Sequence, residues 1–311
     1  MALFMSVALG LLIAVLCAML AFGLTHPPRV TAGAAAARGW WIDPVDAGFR
    51  YDEWTLDRPD GARLPVWDIH NPDCESGPTV IMSHSWGGSR ITSLQRLPFV
   101  IEGVARVIIW DMRGHGEALA RRSGLGTPET DDLLDLIDRV TSESAPVLLY
   151  GSSFGGFVSI GAAARDERVI GVIADGAYRR TGEPIRGFLR FHRLPSWPIH
   201  GIVHRYLFRR LRGLGGPDRA RVAAQLKAPL LVLHSRADPI SPGDSARAIA
   251  DAASDGHYVE FADATHLDLH DRDPDRYRDE IARFIDRCFA RAMTRSGESS
   301  AAATARRAMS P

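Results

Sequence analysis

The most constraining feature of this chain is a regular alternation of short apolar runs with amphipathic segments from residue 51 onward. Residues 79–83 (TVIMS), 106–110 (RVIIW), 146–150 (PVLLY), 169–174 (VIGVIA) and 229–234 (PLLVLH) are short and rich in Val, Ile and Leu. Such runs suit strands that are covered on both faces. Between them lie residues 129–141 (ETDDLLDLIDRVT), 154–165, 244–253 and 275–290, which read as helices. In the first of these the acids come early and the arginine late, matching the helix dipole, and Thr127-Pro128 offers a cap and a first-turn proline. Residues 51–57 and 63–70 flank Pro59-Asp60-Gly61, a turn signal, and read as a hairpin; 258–261 reads as the last strand. Alternating β and α elements with buried strands predict a mostly parallel, doubly wound sheet. The 311 residues, 46% of them hydrophobic, can bury a sizeable core. One α/β domain of roughly 250 residues fits, and we place it at 49–292.

Residues 2–24 contain no charged side chain. As a helix this stretch spans roughly 33 Å, enough for the hydrocarbon core of a bilayer. His26-Pro27-Pro28 then ends it, since proline cannot continue the ladder. The expectation is a transmembrane anchor at 1–25 and a linker at 26–48, with TAGAAAAR (31–38) as a tether. A cleaved signal peptide is the competing reading, but the basic n-region is missing and the apolar run exceeds a usual h-region. No Lys or Arg precedes the run while Arg29 and Arg38 follow it, so the positive-inside rule places the following domain on the cytoplasmic side. Residues 293–311, rich in Ala, Ser and Arg, read as a disordered tail.

Lys and Arg total 37 and Asp and Glu total 37, a formal balance of zero that excludes nucleic-acid binding through bulk charge. Cys17, Cys74 and Cys288 show no CxxC or His/Cys spacing, so we expect unpaired thiols and no metal site.

The chemistry is carried by Gly151-Ser152-Ser153-Phe154-Gly155-Gly156, which follows the strand PVLLY and opens a helical pattern. This is G-x-S-x-G in strand–turn–helix context. A nucleophile on such a tight turn needs small neighbours where backbones approach closely. The turn lifts the Ser153 hydroxyl above the sheet, while Ser152 is expected to pack inward. A serine hydroxyl is a poor nucleophile near neutral pH and needs a base. Asp238 stands in the loop after 229–234, and His266 in the loop after 258–261. The expectation is Ser153 as nucleophile, His266 as base and Asp238 as the acid that orients it. Asp263 and Asp268 compete for the acid's role; His84, His115 and His270 compete for the base's.

These blocks resemble the α/β-hydrolase superfamily over about residues 51–290. They are His84-Ser85-Trp86-Gly87-Gly88, Asp111-Met112-Arg113-Gly114-His115-Gly116, the serine turn, and Asp238 with His266-Leu267-Asp268-Leu269. Among its members, the membrane-anchored BEM46-type subgroup is a loose likeness. The resemblance implies an α/β-hydrolase fold with an inserted helical cap and the chain order Ser, Asp, His. It also implies an oxyanion hole from the backbone N–H groups of Trp86 and Phe154. The chain departs from the pattern at Ser85 and Thr265, where glycine is usual. For His84 we expect a turn-stabilising hydrogen bond rather than a catalytic role. The implied activity is hydrolysis of ester-like acyl bonds without metal or organic cofactor, on a small-molecule or lipid acyl substrate. Thioesterase, peptidase or acyltransferase chemistry on the same residues stays open, as does a non-catalytic membrane-tethered binding protein.

The cap is expected at about 177–226. That segment holds eleven arginines against Glu183 and Asp218, interleaved with Phe188, Phe191, Trp197, Tyr206 and Phe208. Two readings fit: a surface for anionic lipid or substrate, or a solvated arginine-rich face.

Overall fold

A computed structural model describes residues 1–74, 76–120, 122–141, 146–210 and 216–308. Eight strands form one sheet: β1 (Tyr51–Asp57), β2 (Arg63–His70), β3 (Thr79–Ser83), β4 (Arg106–Trp110), β5 (Val147–Ser152), β6 (Val169–Asp175), β7 (Leu230–Ser235) and β8 (Gly256–Phe261). Their order across the sheet is β1-β2-β4-β3-β5-β6-β7-β8. The hairpin β1–β2 and the β2–β4 pair are antiparallel; all other pairs are parallel. This is the expected mostly parallel, doubly wound sheet. From β3 the chain crosses to β4 on one side and then to β5 on the other. The crevice at such a reversal, beyond the C-terminal strand ends, is where open α/β sheets bind ligands.

The helices are α1 (Ala2–Thr25), α2 (Ala32–Ala36), α3 (Arg90–Leu94), α4 (Thr127–Val140), α5 (Phe154–Ala163) and α6 (Gly182–Phe191). They continue with α7 (Ile199–Arg210), α8 (Arg219–Ala223), α9 (Gly243–Ala252), α10 (Leu269–Arg272) and α11 (Pro274–Ala308). Two cores flank the sheet because successive strand residues face opposite ways. In β5, Val147 and Leu149 join Leu133, Leu136 and Val158 of α4 and α5. Leu148 and Tyr150 point to the other core, against Tyr277 and Ile281 of α11. Helices α6, α7 and α8 lie between β6 and β7, in the stretch where a cap was expected.

Three details differ from the sequence reading. Helix α4 is capped at Gly126 and not at Thr127, because the Glu129 carboxylate reaches back to accept from the Gly126 N–H at 2.8 Å. Residues 31–38 are no free tether: α2 forms there and Ala35 is fully buried in the second core. Helix α11 continues to Ala308, past Met293, where a disordered tail was expected; alanine and arginine are strong helix formers. Residues 309–311 lie outside the described residues.

Candidate active site

The serine turn is built by steric exclusion. Ser153 has φ +50°, a left-handed backbone that non-glycine residues seldom adopt. Its N–H donates to the carbonyl of Asp175 at the end of β6, 2.6 Å away, fixing the turn to the neighbouring strand. A Cβ on Gly155 would stand 2.0 Å from the Ser83 carbonyl oxygen, so helix α5 can approach β3 only with glycine there. Ser152 points inward, with its hydroxyl 3.2 Å from that of Tyr150.

Three side chains meet above the turn. The Ser153 hydroxyl lies 3.0 Å from His266 Nε2, and His266 Nδ1 lies 2.7 Å from Asp238 Oδ2. With the carboxylate accepting at Nδ1, the imidazole presents an unprotonated Nε2 to the serine O–H. Asp238 Oδ1 accepts from the N–H groups of Ile240 and Ser241, both at 2.8 Å. Burial pushes the Asp238 carboxyl up, but the hydrogen bond and charge of His266, with the Ser241 N–H, outweigh it and hold the group below its ordinary range.

Three of the five competing residues are engaged elsewhere. Asp268 accepts from the Thr265 N–H and pairs with Arg272. His270 packs on Phe99 and Tyr277. His84 is buried: its Nε2 accepts from the Met112 N–H at 3.0 Å and its Nδ1 donates to the Ser85 carbonyl at 2.8 Å. Burial and the neighbouring His115 push its pKa far down, consistent with a neutral ring that braces the turn. Ser85 is absent from the four non-glycine residues with positive φ among the described residues, so serine fits there without strain. Leu267, at φ +69°, carries the left-handed backbone beside His266.

A cavity of about 580 Å³ covers the serine, and Ser85, Trp86, Ser153, Phe154 and His266 all line it. Phe154 is the first residue of α5, so its N–H has no partner within the helix. Among the described residues no group of three or more His, Cys, Asp or Glu side chains forms a metal site.

Sequence reasoning missed two parts. One is a buried cluster below the site. Asp175 Oδ2 accepts from the Tyr277 hydroxyl at 2.8 Å and the Tyr150 hydroxyl at 3.2 Å, and Arg96 Nε stands 3.8 Å away. Arg96 also donates to the Leu267 carbonyl at 2.7 Å, next to His266. The other is the end of α1, which lines the same cavity through Met19, Leu20 and Leu24. The charge-free run signalled the helix, but no local signal tells where its end docks.

Residues 80–280 match the model of the alpha/beta hydrolase family. Protein YqkD of Bacillus subtilis (strain 168) is 26% identical over 222 residues, spanning 67% of this chain and 71% of that protein. Among solved structures, the Pyrococcus furiosus esterase Pf2001 superposes with a TM-score of 0.68 at 21% identity, covering 86% of this chain and 98% of that one. The enol-lactonase of Burkholderia xenovorans LB400 gives 0.57 at 20% identity, covering 73% and 98%. At these identities the likenesses show a shared fold. By its family match, its sheet order and its serine turn, the chain belongs to the alpha/beta hydrolase family.

Proposed function

We propose that the protein is a serine hydrolase that cleaves ester-like acyl bonds, with Ser153, His266 and Asp238 as its catalytic triad. The observation that carries this reading is the continuous relay from the Ser153 hydroxyl through His266 to a buried Asp238, at 3.0 and 2.7 Å. These separations allow proton transfer within hydrogen-bond reach. The named activities of the structural relatives, esterase and enol-lactonase, both act on ester bonds and point the same way.

His266 takes the serine proton as Oγ bonds to the acyl carbon. The N–H groups of Trp86 and Phe154 are suited to hold the oxyanion. The C–O bond to the alcohol breaks, and the alcohol leaves with the proton from His266. Water then attacks the acyl-serine, giving its proton to His266, and the acid departs as Ser153 regains its hydrogen. Asp238 keeps the imidazole in the right tautomer and stabilises its charged form.

Helix α1 supports a membrane location. Leu3–Thr25 has a mean hydropathy of 2.7, and most of it is exposed. We read it as an uncleaved single-pass anchor. The whole proposal is tested by labelling the full chain with a fluorophosphonate. Labelling of the wild type that disappears in Ser153→Ala supports it, and equal labelling of both removes it.

A further inference from the structure

We infer that the cavity over Ser153 receives the single long acyl chain of a membrane-borne amphiphile, and that the last turns of α1 form one of its walls. This rests on the serine-hydrolase reading and names the substrate class of that site.

The cavity lining is mostly apolar. Met19, Leu20 and Leu24 face it from α1, and Leu125, Ile185 and Phe188 from the body and cap. Such a lining selects hydrocarbon by removing it from water rather than by polar recognition.

Helix α1 is fastened at this place. The Trp86 indole donates to the Leu24 carbonyl at 2.9 Å, and the Ser123 N–H donates to the Thr25 carbonyl at 2.8 Å. Just beyond, Arg29 donates to the carbonyls of Gly116, Ala118 and Ala120 at 2.8–3.1 Å. Cys17 and Ala21 pack on Val203 and Leu207 of α7. The opposite end is bare: Leu3 and Phe4 are 79% and 78% exposed. Among the described residues, the one helix long and apolar enough to cross a membrane therefore ends at the cavity. Met19 and Leu24 fall within its last two turns, roughly 9 Å of helix axis.

The cap surface beside α1 has matching chemistry. In this stretch Phe191, Trp197, Ile202 and Phe208 are exposed, and Ile202 lies next to α1. Arg190, Arg193, Arg205 and Arg209, also exposed, are interleaved with them. Rings that reach the acyl boundary beside guanidinium groups that meet phosphates are the marks of a surface lying in a lipid interface. A chain leaving that layer meets the cavity at the end of α1, with its ester group directed to Ser153.

The test uses the full chain in nanodiscs containing phosphatidylcholine and phosphatidylglycerol. Gly23 lines the cavity, and a Cβ added there meets nothing within 4 Å, so Gly23→Leu narrows the space without a backbone clash. Each methylene excluded from burial lowers kcat/KM about four-fold, so the dodecanoate-to-butyrate ratio for p-nitrophenyl esters should fall about ten-fold or more. Gly10→Leu, on the bare half of α1, should leave that ratio at the wild-type value. As a readout independent of turnover, a monoacylglycerol with a diazirine on its acyl chain should cross-link Leu125 and Ile185, less so in Gly23→Leu. An unchanged ratio together with unchanged cross-linking overturns the inference. Turnover that survives in Ser153→Ala would instead remove the hydrolase reading, while the cross-link still decides what occupies the cavity.

Discussion

Arg96 donates to the carbonyl of Leu267 at 2.7 Å while its Nε stands 3.8 Å from the Asp175 carboxylate. One buried guanidinium thus joins the loop that carries His266 to the strand end that holds the Ser153 turn. Replacing Arg96 by Met leaves Asp175 buried without its cation, and breaking such a pair costs about 3–5 kcal/mol. We predict a lower melting temperature for Arg96→Met. In the surviving folded protein kcat falls more than KM rises, because His266 loses its placement while the apolar cavity is kept. Thermal melts and steady-state kinetics on one preparation check both parts.

On the proposed triad, Asp238→Asn removes the charge that would steady the imidazolium and favours the wrong tautomer of His266. The expected loss in kcat is about four orders of magnitude with substrate binding largely kept. Because the folded carboxyl titrates below its ordinary range, its stabilising contribution is complete above that range. It is lost as pH falls through the lowered folded value. Denaturant melts across acidic pH should show a shallower acid loss in Asp238→Asn than in the wild type.

Asp111 behaves in the opposite sense. It accepts from the Arg90 N–H at 2.7 Å and the Glu117 N–H at 2.9 Å, yet burial pushes its carboxyl from 3.8 up to about 6. The fold holds this proton more tightly than the unfolded chain does. The Asp111 contribution to stability therefore declines as pH rises from 3.8 to about 6 and stays reduced above. Asp111→Asn should remove that decline, whereas Asp111→Ala should lose about 1–3 kcal/mol at all pH values by taking the acceptor from the buried Arg90 N–H and the partly buried Glu117 N–H. Chemical denaturation of the three proteins at pH 4 and pH 7 separates these outcomes.

Gly155→Ala puts a methyl 2.0 Å from the Ser83 oxygen, with rigid backbone on both sides. We predict a loss above about 4 kcal/mol, at the severe end for single substitutions, seen as failure to accumulate soluble or membrane-extracted protein. Gly23→Leu should be tolerated at normal levels.

Deleting residues 1–25 bares Val203 and Leu207, which are 0% and 1% exposed beneath α1, and strips the Trp86 indole of its acceptor. The truncated chain is expected to aggregate or to require detergent, measured by size-exclusion chromatography against the full chain.

Much of the frame is legible in the sequence because it depends on short-range patterning. The runs at 79–83 and 106–110 became β3 and β4 with unchanged limits, since apolar stretches of that length have few alternatives inside a covered sheet. Ser153, Asp238 and His266 could be placed because each follows a recognisable strand. Their mutual distances could not: these depend on the left-handed backbone at Leu267 and on Arg96, residues without a local signature. The docking of α1 was equally hidden. Cys17 and Ala21 look like any other part of an apolar run, and only the tertiary fold singles them out as the side that meets α7.

The bond between Trp86 and Leu24 has a kinetic meaning. A hydrolase on a loose tether would tumble and sample its substrate by volume. Stitching α1 to the very loop that faces the nucleophile removes that freedom. On the proposed reading of α1 as a membrane anchor, the entrance would keep one height and one heading, and turnover would answer to the number of substrate molecules per unit area.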